Sequence, residues 1–179
     1  MRARDVFAGV VLTLVASVAF AHVSVRPRES KQRITEKYTV RVPTEGKVAT
    51  TSVVLDVPEG VMIDSVEPAE GVATDLKREA GRIVSITWTV TINPGENKEF
   101  VFVAKNPSEA TELSWKAHQR YTDGTSSEWI GAAGTRQPAP VTKLTAAERA
   151  ERRLRDPVSP LLGKHRQRSP RVATRCAQQ

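Results

Sequence analysis

The sequence predicts an all-β fold, an antiparallel β-sandwich of immunoglobulin or fibronectin-like size, on three observations. Between His22 and Thr135 the chain is built of short runs rich in Val, Ile, Thr and aromatic residues that alternate apolar and polar. Turn formers separate the runs at Pro43, Pro58-Glu59-Gly60, Asn93-Pro94-Gly95 and Asn106-Pro107. No convincing helix stands between them.

In chain order the runs begin with "HVSVRP" at His22. "KYTVRVP" should return beside it after a loop over residues 29–36. Within that second run Tyr38, Val40 and Val42 share one face while Thr39 and Arg41 share the other, the pattern of a half-buried strand in an antiparallel sheet. "TTSVVLDVP", "GRIVSITWTVTI" and "KEFVFVAKNP" follow, with Trp88 mid-strand as a core residue. "ELSWKAHQRY" places Trp115 in the core as well, and Asp123-Gly124 joins that run to "SSEWIG" as a hairpin, because glycine accepts a positive φ without steric cost. Strands at this spacing suit an immunoglobulin-like sandwich.

Upstream of His22 the sequence reads as a signal peptide over residues 1–21. Arg2 and Arg4 make a positive start, residues 6–20 are almost wholly apolar, and Ala19-x-Ala21 is the small-residue pattern of a cleavage site. The apolar run is short for a membrane span, which needs about 20 residues. An uncleaved N-terminal anchor is the alternative. The remaining length suits one domain, over residues 22–142, and a tail over 143–179. Cys176 is the only cysteine of the sequence, so no intrachain disulfide can form and the core alone must hold the fold.

The net charge of +7 is confined to one end. Residues 22–142 hold 15 Lys+Arg against 16 Asp+Glu, whereas 143–179 hold 10 against 3. The folded part therefore has no nucleic-acid footprint. In the tail "PAPVTKLT" reads as a proline-punctuated connector, "AAERAERRLRD" as a short charged helix, and "RQRSPRVATRCAQQ" as too polar to fold alone. The tail is expected to be a disordered, solvated extension. Its alternatives are a basic arm that touches anionic lipid or envelope polymer, or an altered reading frame at the 3′ end of the gene.

Cleavage after Ala21 would make His22 the mature N-terminus, with an α-amine and an imidazole as two nitrogen donors on one residue. Reference pKa values of about 7.7–8.0 for the amine and about 6.5 for the imidazole let both lose a proton near neutrality. Nitrogen-rich ligation favours Cu(II) among divalent metals, and open coordination positions would suit a carboxylate. If the first two strands pair, the end of the second lies beside the start of the first, and Glu45 becomes the nearest carboxylate by topology. Glu45 as an exposed loop residue before Gly46 is the competing reading.

The order A-H-V-S-V-x-P, V-P-T-E, F-V-F-V-A-K-N-P and W-K-A-x-Q-x-Y-x-D-G-x-x-x-E-W-x-G resembles the YcnI-like copper-binding domain over about residues 22–142. Each motif is weak alone, and specific in this order behind a signal peptide. The resemblance implies an exported β-sandwich that binds Cu(II) through a single-histidine brace, completed by a glutamate and packed against a tryptophan. By motif these are His22, Glu45 and Trp129 of "EWIG", with Glu99 the reserve carboxylate. Trp129 would shield an axial face and add a cation–π contact, or simply cover the sheet as strand aromatics do. Glu128 should face the other way by strand alternation. The chain departs from the family at 67–72, "EPAEGV", where relatives often carry P-x-P-G-W, and at His118, where Tyr or Leu is more frequent. Many relatives also end in a membrane anchor, which this basic tail does not provide.

The resemblance implies a non-catalytic copper-binding protein of the periplasm or cell envelope that buffers, senses or hands on copper, with a membrane copper transporter or a second copper carrier as partner. An oxidative copper enzyme would need a second histidine ligand, for which His118 and His165 are the only candidates. A metal-free interaction module is the third class, since such sandwiches often only bind partners. No Ser/His/Asp set, Cys/His nucleophile or glycine-rich phosphate loop is present to support hydrolytic chemistry.

Overall fold

The computed structural model describes residues 22–147, and every helix or strand among them is a β-strand. The expected signal peptide, the charged helix and the tail beyond residue 147 lie outside the described residues. In order the strands are β1 (Ser24–Arg26), β2 (Glu29–Lys31), β3 (Thr35–Pro43), β4 (Thr50–Asp56), β5 (Met62–Val66), β6 (Ala73–Glu79), β7 (Arg82–Ile92), β8 (Asn97–Lys105), β9 (Glu112–Ser114), β10 (Ala117–Tyr121), β11 (Ser126–Trp129) and β12 (Val141–Thr145).

Two antiparallel sheets face each other, one ordered β1-β3-β8-β5 and the other β11-β10-β4-β7-β6. The alternation expected for β3 holds: Tyr38, Val40 and Val42 are buried and Thr39 and Arg41 half-buried. Their inward faces meet those of β4, β7 and β8 in one core. Trp88 of β7 stacks on Phe100 of β8 at 4.6 Å, tying one sheet to the other. At the far end Trp115 meets Tyr38 at 5.0 Å and Phe102 at 5.4 Å. Both tryptophans are fully buried, as expected of core residues, because large flat rings fill the gap between two pleated faces with little entropy loss. The Asp123-Gly124 hairpin also forms between β10 and β11: Gly124 has φ +82° and the Asp123 carboxylate accepts from the Thr125 N–H at 3.0 Å.

The structure differs from the sequence expectation in four places. The stretch expected as a loop over 29–36 contains β2, three residues long. Strands β5 and β6 were not anticipated. Each lies at the edge of its sheet, and β6 (ATDLKRE) is exposed except at Leu76, so it shows charge rather than alternation, as edge strands do to discourage further pairing. "ELSWKAHQRY" is two strands, broken at Trp115-Lys116, where the Trp115 N–H donates to the Pro140 carbonyl at 2.8 Å.

The fourth difference concerns the connector, because "PAPVTKLT" ends in β12. This strand runs parallel to β2 and antiparallel to β9 in a third, three-stranded sheet. It continues to Thr145 and buries Leu144, so the folded unit passes beyond the boundary expected at Thr142. Thr142 itself is buried, accepting from the Trp115 indole at 3.2 Å and donating to the Pro27 carbonyl at 2.9 Å.

Candidate metal centre

Strand β1 closes one edge of the four-stranded sheet and β11 closes one edge of the five-stranded sheet. Together they place His22, two residues before β1, against Trp129, the last residue of β11. The two rings lie 5.4 Å apart at 66°, an edge-to-face contact. The environments differ: His22 is exposed, whereas Trp129 is 7% exposed and belongs to the core. Among the described residues no side chain is hydrogen-bonded to the His22 imidazole. A cavity of about 400 Å³ opens beside it, lined by Val23, Arg28, Ala133, Pro140 and Val141 among others.

The Trp129 indole is not free to turn. Its Nε1–H donates to Oε1 of Gln119 at 3.2 Å. Gln119 in turn donates from Nε2 to the Pro43 carbonyl at 2.9 Å and to Thr50 Oγ1 at 2.7 Å. Thr50 and Thr44 share a hydroxyl–hydroxyl bond of 2.7 Å. A buried polar chain thus runs from the indole that touches His22 to the residue before Glu45.

The antiparallel pairing of β1 and β3 matches Ser24 with Arg41, and continuing that register brings His22 level with Pro43. Glu45 follows two residues later. The backbone of Thr44 is held on both sides, its N–H donating to the Glu96 carbonyl at 2.9 Å and its carbonyl accepting from the Gly95 N–H at 2.7 Å. Gly95 makes that second bond from a turn at φ +82°, a conformation in which glycine escapes the Cβ clash. Glu45 itself is exposed and lines a second cavity of about 450 Å³ with Arg41, Glu96 and Asn97. The structure therefore brings His22 and Trp129 into contact and sets Glu45 at the adjacent strand end, with its side chain in the neighbouring cleft. Glu99, on β8, pairs with Arg41 of β3, level with Ser24 rather than His22.

His118 stands apart from this group. Strand alternation turns Ala117 and Gln119 inward and His118 outward, on the face of the sheet opposite Trp129. Its Nδ1 is bonded to the Glu128 carboxylate and its Nε2 to Asp56 Oδ2 at 3.2 Å. Partial burial alone would lower the His118 pKa, but the hydrogen bonds to Glu128 and Asp56 outweigh it and raise it. The same bond to His118 lowers the pKa of Glu128. The two carboxylates take opposite ring nitrogens, so they do not converge on one point with the imidazole. Among the described residues no group of three or more His, Cys, Asp or Glu side chains is arranged to hold a metal ion. His165 lies outside them.

A terminal-histidine chelate needs no such cluster, since its amine and imidazole come from one residue. The residues present are an exposed imidazole packed edge-on against the Trp129 indole and, in a separate cleft at the neighbouring strand end, the Glu45 carboxylate. The residue that sequence reasoning missed is Gln119. Its signal was present, an amide at an inward position of β10 between apolar neighbours, where a buried polar group must find partners.

The copper-binding protein CutI of Bacillus subtilis (strain 168) is 39% identical over 140 residues, which span 76% of this chain and 69% of that protein. The crystal structure of an uncharacterized protein from Nocardia farcinica, with an immunoglobulin-like fold, superimposes with a TM-score of 0.61 at 28% identity over 70% of this chain and 99% of that one. The family described as "Domain of unknown function (DUF1775)" matches residues 22–144, which hold His22, Glu45 and Trp129. On these matches the chain belongs to that family, the YcnI-like copper-binding family its motifs resemble.

Proposed function

We propose that this protein is exported, loses residues 1–21, and binds one Cu(II) at its new N-terminus without catalysing a reaction. The contact between His22 and Trp129 is the observation that supports this most, because it sets an exposed terminal imidazole against a rigid aromatic wall. The α-amine and Nδ1 of His22 would supply two nitrogens and Glu45 a carboxylate. Trp129 would cover one face of the ion and limit its exchange with solvent. The name of the Bacillus relative, copper-binding protein, supports copper as the cargo. The role we assign is buffering or handing on copper in the periplasm or cell envelope, with a membrane copper transporter or a second copper carrier as partner. An oxidative enzyme with two histidine ligands is less well supported, since His118 is outward-facing and engaged at both ring nitrogens.

Cu(II) titration of the chain beginning at His22, followed by calorimetry and electron paramagnetic resonance, tests the proposal. His22→Ala should abolish tight binding and Glu45→Gln should weaken it. Equal binding by His22→Ala would place the site elsewhere.

A further inference from the structure

We infer that Gln119 is the positioning residue of this site, a buried clamp that fixes the Trp129 indole over His22 and the Pro43-Thr44 strand end that leads to Glu45. The inference rests on the reading of His22, Glu45 and Trp129 as a copper site. Gln119 is fully buried, and a buried amide is retained at a penalty unless its donors and acceptor are satisfied. All three of its hydrogen bonds go to residues on other strands: Trp129 on β11, Pro43 on β3 and Thr50 on β4. The amide therefore ties together the two facing sheets at the end where His22 sits.

Its orientation is fixed by chemistry. The indole Nε1–H can only donate and the Pro43 carbonyl can only accept. Turning the amide over would set donor against donor at Trp129 and acceptor against acceptor at Pro43. One amide thus holds both arms of the site in a single relative placement. The second arm is extended by Thr50, whose hydroxyl accepts from Gln119 and is shared with Thr44, the residue before Glu45. Gln119 reaches the ion through Trp129 and through Thr44.

The test compares Gln119→Met with Tyr38→Phe in the chain beginning at His22. Gln119→Met keeps the volume and removes both arms. Tyr38→Phe removes a buried hydrogen bond to Asn106, 2.8 Å long, at a strand position away from the site. Two readouts are taken: the Trp129 indole N–H resonance and its exchange protection in metal-free protein, and Cu(II) affinity with the paramagnetic resonance spectrum. Gln119→Met should deprotect the Trp129 indole, weaken Cu(II) binding about tenfold and alter the spectrum, whereas Tyr38→Phe lowers stability and leaves all three unchanged. Thr50→Val, nearly isosteric, removes the Thr50 bonds to Gln119 and Thr44 while the Gln119 bonds to Pro43 and Trp129 stay, and should weaken Cu(II) binding with the indole unaffected, so the inference is tested even if Gln119→Met does not fold. Cu(II) binding unchanged in Gln119→Met, or in Thr50→Val where that is the variant that folds, overturns the inference alone. Failure of the unsubstituted chain to bind Cu(II) overturns the reading of the site and this inference with it.

Discussion

Leu144 decides where the folded unit ends, and its removal is predicted to destabilise the domain. The side chain is 6% exposed in the core, on the last strand. Its N–H donates to the Thr111 carbonyl at 2.7 Å, that of Lys143 donates to Arg28 at 2.9 Å, and the Thr145 carbonyl accepts from Gln32 at 2.9 Å. Ending the chain after Thr142 deletes all of this. These bonds and the ladder bonds of residues 143–145 to β2 contribute about 1 kcal/mol each, and ordering each residue costs about 1–2 kcal/mol in backbone entropy. Those two terms roughly cancel, which leaves the burial of Leu144. Leu→Ala changes in cores cost about 2–5 kcal/mol, and a residue at the rim of the core belongs at the lower end, about 2–3 kcal/mol. At about 3–4 °C per kcal/mol for a domain of this size, Leu144→Ala and the chain ending at Thr142 should each melt about 6–12 °C below the chain ending at Ala147. Circular dichroism melts of the three proteins provide the assay. Equal melting temperatures for the chains ending at Thr142 and Ala147 would refute the argument and return the boundary to Thr142.

Three further outcomes follow from the geometry. The His118–Glu128 pair should make stability depend on pH: the raised His118 pKa gives a contribution fully present below about 6.5 and lost as pH rises through the folded value, and the lowered Glu128 pKa gives one present above about 4.3 and lost as pH falls through its folded value. Denaturant titrations should therefore show the pair strongest between those limits, worth at most about 1 kcal/mol because both side chains are partly solvated, and His118→Leu should flatten the profile. Gly124→Ala forces a Cβ into φ +82° and should lower stability by about 1–2 kcal/mol, read by urea unfolding, while Cu(II) affinity stays the same. Trp88→Ala removes the ring stacked on Phe100 and should cost about 3–5 kcal/mol by the same measurement.

The parts of the fold legible in the sequence were those with strong local signals. In β3 the alternation of Tyr38, Val40 and Val42 marks the buried face directly, and Asp123-Gly124 marks its hairpin, because both depend on neighbours in sequence. Edge strand β6 was illegible because its exposed residues report solvent rather than a partner strand. The three-residue β2 exists only because β12 lies beside it, more than a hundred residues later, and no local pattern encodes such a pairing. The site divides the same way. His22 is a candidate from the cleavage pattern Ala19-x-Ala21, Glu45 from the pairing of the first two strands and the V-P-T-E motif, and Trp129 from its motif. For Gln119 the sequence shows only a polar residue at an inward strand position; its three partners lie on other strands, and sequence spacing does not express contacts across a sandwich.

The proposed copper site depends on a free α-amine at His22, and one titration addresses it directly. Cu(II) is added, in parallel, to the chain beginning at His22 and to the same chain with one alanine placed before it. The added residue leaves the imidazole, Trp129 and Glu45 in place and removes only the amine from His22. The first chain should bind one Cu(II) tightly with a nitrogen-rich paramagnetic spectrum, and the second should lose that affinity and spectrum. Equal affinity and an identical spectrum in the two chains would contradict the proposed site.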